Sequence, residues 1–312
     1  MALKGTIIIR AIPIKCLVIF KEFDCMQDQD FPALFRSADD LSKESQKYFL
    51  LALRIHLVAL VFASFLSIIS LPHWSVAAAQ LFVLLLALAS SIYLFSMRPD
   101  RLWYAGRAVA ESIKTITWRY VSRAEPFQGD NVSANGDFRR TLKQIIEQNR
   151  DVCQLLTGHL NGQQVTPVME WMRDRSLEER KITYREFRIK DQLAWYANKA
   201  AFNRRMSRKF FWVLIGVNVI AVVFAVLRLV YVSQPFWPTD VFVALAASIL
   251  SWMQAKRFSE LAASYALAAH EISLINEQSM LPDTHEKFSL FVGDAENAFS
   301  REHTQWVARK DE

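Results

Sequence analysis

The chain has 312 residues, 52% of them hydrophobic, with 37 Lys and Arg against 31 Asp and Glu and a formal net charge of +6. That average hides a division, because no Asp, Glu, Lys or Arg occurs from Ile55 to Met97, and Phe210 to Ala255 carries only Arg228 and Asp240. A soluble single-core enzyme is not the class these blocks describe, since a water-soluble core has no need of charge-free runs that long.

In chain order, residues 1–30 come first, with the apolar runs Ile7 to Ile9 and Ile14 to Phe20 cut by Arg10, Pro13 and Lys15. A signal peptide would have an unbroken apolar core. A short strand pair, an interfacial anchor, or an extension ahead of a start at Met26 remain open, the last being favoured. The first apolar block is about twice the roughly 20 residues of one membrane-spanning helix, so it suits a hairpin of spans 1 and 2, turned at Leu71-Pro72-His73-Trp74-Ser75. Pro99 then restarts a helix of about 100–123, with Leu102, Ala105, Val109, Ile113 and Ile116 at helical spacing. Gly129 to Gly136 reads as a polar loop, 137–156 as a further helix, and 160–166 as a linker between halves.

The second half opens on Ser176-Leu177-Glu178-Glu179, which has capping-box form. Its helical pattern runs without Gly or Pro into span 3, so the part before the membrane projects about 50 Å. Spans 3 and 4 turn at Ser233 to Pro238, span 4 continues to about Ser279, and Pro282-Asp283 starts a last helix ending near Lys310. The expected fold is an all-α integral membrane protein. It has two transmembrane helical hairpins, four spans in all, with long cytoplasmic helices forming a bundle. Its domains would be an extension (1–30), a first two-transmembrane domain (31–160) and a second (161–312), related by parallel duplication.

Basic residues crowd one side of both hairpins. Lys43, Lys47 and Arg54 precede span 1, Arg98 and Arg101 follow span 2, Arg204, Arg205, Arg208 and Lys209 precede span 3, and Lys256 and Arg257 follow span 4. Both turns lack a base, so the positive-inside rule expects both termini and the large middle segment in the cytoplasm. Without these flanks the chain is net acidic, so the basic balance reports topology and nucleic acid is not an expected partner. Cys16, Cys25 and Cys153 show no close pairing for a disulfide.

The six histidines are scattered without an i, i+4 pair, no Gly-rich loop precedes a helix, and Glu178-Glu179 reads as a solvated face. Catalytic, metal and cofactor sites are therefore not expected, and the protein is not expected to be an enzyme. Polar groups inside the apolar blocks are costly unless they face another helix or water. Asn218 and Arg228 share a face of span 3 with Ala221 and Ala225, and Arg228 could snorkel or meet Asp240 across the turn. His56 and Ser67 lie on a small, polar face of span 1, Gln80 and Ser91 on span 2, and Ala247, Ser251 and Ala255 form a small-residue series on span 4. These groups either glue the helices within a protomer or, led by Asn218 and Arg228, line a water path in an oligomer. Four spans alone leave little room for a wide pore.

The stretch from Arg101 to Lys114, with Trp103, Arg107 and Glu111, resembles the SLATT family, the SMODS and SLOG-associating two-transmembrane effector domains of bacteria. So do Asp191 to Ala200, with Trp195, and Glu296 to Trp306, the likeness covering about 31–310 as two tandem domains. The resemblance implies a membrane effector of a conflict or antiphage system that permeabilises the inner membrane on a nucleotide-linked signal. No nucleotide synthase or sensor domain is recognisable in this sequence, so the trigger is expected to act in trans, through a sensor or synthase, or directly on the cytoplasmic helices. A homo-oligomer in the lipid bilayer is the expected assembly. A housekeeping small-ion channel or transporter and a non-conducting scaffold are the competing readings.

Overall fold

The computed structural model describes residues 26–69 and 74–308, with side chains as far as Ser300. Its helices are α1 (Ala33–Ile68), α2 (Trp74–Met97), α3 (Pro99–Val121), α4 (Asn131–Gln148), α5 (Arg150–Cys153) and α6 (Pro167–Arg173). They continue as α7 (Leu177–Tyr184), α8 (Lys190–Val230), α9 (Thr239–Lys256), α10 (Phe258–Gln278) and α11 (His285–Ala308). No strand occurs among the described residues. Of the N-terminal extension, residues 1–25 lie outside them, while Met26 packs into the core.

Several of these helices begin where local chemistry dictates. The Ser176 hydroxyl accepts from Glu179 N while the Glu179 carboxylate accepts from Ser176 N, the reciprocal box read from the sequence. Pro99 occupies the first turn of α3, where its missing N–H costs nothing. The expected loop at 129–136 is shorter than anticipated. The Asp130 carboxylate accepts from Val132 N at 3.3 Å, so α4 starts at Asn131 and takes Gly136 into its interior.

Leu177 to Val230 forms one 54-residue rod, about 80 Å long at 1.5 Å per residue, interrupted only by a π-helical turn at Arg185–Ile189. Span 4 does not run on as expected. Arg257 adopts a left-handed φ of 47° and breaks α9 from α10, as Arg98 with φ 42° breaks α2 from α3. Each non-glycine residue there costs roughly 1–2 kcal/mol, which the return of the next helix onto the long helix offsets. At Arg98 the following proline disfavours continuing the α-helix, so a break there is readable from the sequence. At Arg257 no neighbouring residue announces it.

Three helices are long and apolar enough to cross a bilayer, within Ala33–Ile68, Trp74–Val121 and Leu177–Val230. The fourth apolar segment, α9, has 18 residues and includes Asp240 and Lys256, about 27 Å of helix against a hydrocarbon thickness of about 30 Å. The first turn falls on residues 70–73, outside the described ones. The second is present, with Trp237 Nε1 donating to Gln234 O at 3.1 Å and Pro238 preceding α9.

The halves share one plan: a long helix, an antiparallel partner, an arginine break and a helix returning onto the long one. Buried positions recur in register. Ala38, Ser42, Ser45, Ala59 and Ala63 on α1 follow the spacing i, i+4, i+7, i+21 and i+25, as do Tyr196, Ala200, Asn203, Val217 and Ala221 on α8. Val109 and Ile113 on α3 likewise answer to Ala268 and Ile272 on α10. The junction itself is filled differently. A Cβ on Gly106 would lie 3.2 Å from Ala38 O and Ser42 N, so backbones meet there, whereas Tyr196 and Tyr265 fill the second junction with rings 5.6 Å apart. The polar ends of the helices, with α4 to α7 and α11, enclose one core around Tyr120, Phe127, Phe138, Tyr184 and Phe288.

Candidate functional site

The apolar part of the first hairpin is closed by Ala59 and Ala63 of α1 against Ala87 and Ser90 of α2, small residues that let the helices approach. Against this contact His56 Nδ1 lies 3.1 Å from both Ala87 O and Ser91 Oγ, and Ser91 Oγ also donates to Ala87 O at 3.1 Å. Further along, Gln80 Nε2 donates to Ser67 Oγ at 3.0 Å. Two polar faces read separately from the sequence thus meet as two pairs. Each polar group then has a partner where hydrocarbon would leave it none.

The second hairpin is arranged otherwise. Val217 and Ala221 of α8 and Ala246 of α9 are buried, and Phe224 stacks on Phe242 at 5.4 Å. Asn218 is exposed and donates to Leu214 O of its own helix at 2.8 Å. Arg228 and Asp240 are both exposed and form no ion pair with each other. Ala247 and Ser251 face outward, so the small-residue series of α9 does not form the contact with α8. Instead α9 meets α1, where Ser248 Oγ reaches Leu57 O at 3.5 Å and the Arg54 guanidinium stands 5.1 Å from the Trp252 ring centre.

At the polar end, Arg188 in the π-helical turn donates Nε to Glu296 Oε1 at 2.8 Å and Nη2 to Oε2 at 2.7 Å, with both side chains essentially without solvent exposure. Tyr184 adds its hydroxyl to Glu296 Oε1 at 3.0 Å. Burial and the neighbouring Glu296 hold the Tyr184 phenol well above its ordinary pKa, so it remains a donor. Arg173 is also fully buried, donating to Tyr120 O, Gly129 O and Asn131 Oδ1. Arg180 donates to Ser122 O at 2.6 Å and to His285 Nδ1 at 2.9 Å. Arg173 and Arg180 thus meet the carbonyl end of α3, the favourable place for cations on a helix dipole. Burial, then the charges of Arg123 and Arg173, bring Arg180 down to about 10.

The residues named by the family resemblance tie long helices to return helices. Arg107 pairs with Glu111 at 2.5 Å and reaches Asp39 of α1 at 3.7 Å. Trp103 lies 6.2 Å from the Phe49 ring, and Trp195 of α8 lies 5.4 Å from Tyr265 of α10. Lys114, one turn beyond Glu111 and two beyond Arg107, is pushed below the ordinary lysine pKa by burial. Trp306 falls in α11 beyond the described side chains. Sequence reasoning overlooked Arg173, Arg180, Arg188 and Glu296 as buried charges. The available signal was Glu296 beside the apolar stripe Phe288, Val292, Ala295 and Phe299, where a solvated helix face would continue polar.

Large apolar side chains remain outward along the apolar helices, Phe95 at 85% and Leu229 at 78% exposure. Water would not tolerate so continuous a patch, whereas lipid does. Long helices with an apolar exterior, rooted in a polar core, define a helical membrane protein. Residues 32–181 match the SMODS and SLOG-associating 2TM effector domain 3, and residues 184–306 match the SMODS and SLOG-associating 2TM effector domain 1. The chain belongs to this SLATT family as two tandem domains, whose members are two-transmembrane effector domains associated with conflict systems. No curated protein and no solved structure matches the chain.

Proposed function

We propose that the chain is a membrane effector of a bacterial conflict or antiphage system, acting by permeabilising the inner membrane rather than by catalysis. In this reading α9 completes a fourth span, both termini and the bundle lie in the cytoplasm, and copies of the chain assemble to form the path. The observation that supports it best is mechanical continuity. The rod from Leu177 to Val230 carries the Arg188 clamp at its polar end and Arg228 at its apolar end without a hinge between. A partner that repacks α11 against Arg188 would rotate the rod and displace its apolar part against its neighbours. The bundle holds the hairpins closed until then, and the partner is a nucleotide-linked sensor or synthase acting in trans.

Conduction through one copy is disfavoured by the pairing of His56 with Ser91 and Gln80 with Ser67, which turns these four polar groups toward each other. Asn218 and Arg228 remain on the outer surface, where a second copy would meet them. Induced expression in a bacterium with a voltage-sensitive dye tests the reading. Depolarisation and growth arrest are expected, weakened by Asn218→Leu or Arg228→Leu at equal membrane abundance. Undiminished toxicity in both variants removes these side chains from the path. Purified protein in liposomes distinguishes the alternatives: flux that is ion-selective and harmless to cells indicates a housekeeping channel, and no flux under any nucleotide tried indicates a scaffold.

A further inference from the structure

Beside Arg54, at the basic end of the first hairpin, α1 and α2 leave an open groove of about 340 Å³ lined by Arg54, Ile55, Val58, Phe62, Val83 and Leu86. Apart from Arg54 its wall is hydrocarbon. The same guanidinium stands 5.1 Å from the Trp252 ring centre, and the Lys256 ammonium lies 5.9 Å from it. Lys199 of α8, itself 5.7 Å from the Trp195 ring, is close enough for its charge to be felt at Lys256, as is that of Arg54. Arg54 of α1 and Lys256 of α9 therefore share the Trp252 ring, and Lys199 of α8 stands at the neighbouring Trp195 ring. The next base, Arg257, is neutralised by Glu260, but among the described residues Arg54, Lys199 and Lys256 form no ion pair with a carboxylate.

Like charges gathered without a counter-ion raise the free energy of the protein until an anion arrives. The adjoining groove is apolar and opens sideways, the shape of a hydrocarbon chain running along the helices. Basic pockets beside membrane helices select lipids with anionic head groups in this way. We propose that this end of the first hairpin is a binding site for one anionic phospholipid, its phosphate held by Arg54, Lys256 and Lys199 and one acyl chain lying in the α1–α2 groove. A bound lipid would bridge α1 of the first domain to α8 and α9 of the second. The inference rests on the helices lying in a bilayer but not on conduction, so lipid selectivity can survive in a chain that passes no ions.

The test is native mass spectrometry of the full chain in detergent, titrated separately with dioleoyl phosphatidylglycerol, dioleoyl phosphatidylcholine and glycerol 3-phosphate. Phosphatidylglycerol is expected to bind at least about tenfold more tightly than phosphatidylcholine, each nearby cation contributing on the order of fivefold. Arg54→Gln and Lys256→Gln should each remove about fivefold of that preference, while Arg54→Lys keeps it and Lys143→Gln on exposed α4 leaves it unchanged. Val58→Trp, which fills the groove without touching a charge, should weaken both lipids. Equal binding of the two lipids, or a preference untouched by Arg54→Gln and Lys256→Gln, overturns the proposal. Binding of glycerol 3-phosphate as tight as that of phosphatidylglycerol overturns the acyl-chain part of it.

Discussion

Arg188 and Glu296, far apart in the chain, form a two-point ion pair in which neither side chain reaches solvent. It joins the π-helical turn of the long rod to α11, and Arg188 also lies 5.1 Å from the Phe299 ring centre. Its second terminal nitrogen, Nη1, is buried without a hydrogen-bond partner among the described residues, so the pair is strongly held yet incompletely satisfied.

Removing one partner should be far worse than removing both. Arg188→Met or Glu296→Leu alone leaves an unpaired buried charge and should cost about 3–5 kcal/mol, whereas the double variant should regain most of that loss. Thermal unfolding in detergent measures the three. A double variant as unstable as the worse single one would mean that the pair supplies more than charge compensation.

Gly106 limits how closely α1 and α3 approach. A side chain there meets backbone atoms of Ala38 and Ser42, which cannot rotate away. Gly106→Leu should destabilise by about 1–3 kcal/mol, the usual cost of overpacking a filled contact. Gly136→Leu, with nothing within 4 Å of its Cβ, should be neutral or slightly stabilising in the same melt.

The polar pairs of the first hairpin should be modest contributors. A double-mutant cycle on Gln80→Leu and Ser67→Ala should give a coupling of about 0.6 kcal/mol, typical of hydrogen bonds between membrane helices. A coupling near zero would show that the two side chains face different surroundings in the bilayer.

At the start of α7 the pH dependence has a defined sign. Hydrogen bonds from Ser176 hold the Glu179 carboxyl below its ordinary range, so the stabilisation is present above pH about 4.5 and is lost as pH falls through the lower folded-state value. Ser176→Ala removes the hydroxyl cap, a change that typically costs about 1 kcal/mol. It should also flatten stability against pH below 4.5, measured by unfolding between pH 3 and 6. An unchanged acid slope would assign that slope to other carboxylates.

Much of this architecture was legible residue by residue. The charge-free blocks, the cap at Ser176 and the restart at Pro99 all act through near neighbours in the chain, so their pattern carries the structure with it. The break at Arg257 was not legible, since no proline or glycine marks it and the return of α10 onto α8 imposes it. Residues proposed for one polar path divided as well. His56, Ser67, Gln80 and Ser91 pair inside the first hairpin, while Asn218, Arg228 and Asp240 stay on the outside of the second.

The amino-acid order by itself determined that long apolar helices alternate with charged ones, because helix periodicity, caps and hydrophobic length are properties of neighbouring residues. Only the tertiary structure decided which charges leave water. Arg173, Arg180, Arg188 and Glu296 stand on helices as rich in charge as their exposed neighbours, and their burial follows from which faces meet across elements remote in the chain. Desolvation depends on that meeting and on nothing local, so an arginine bound for the core and one bound for water look alike until the helices pack.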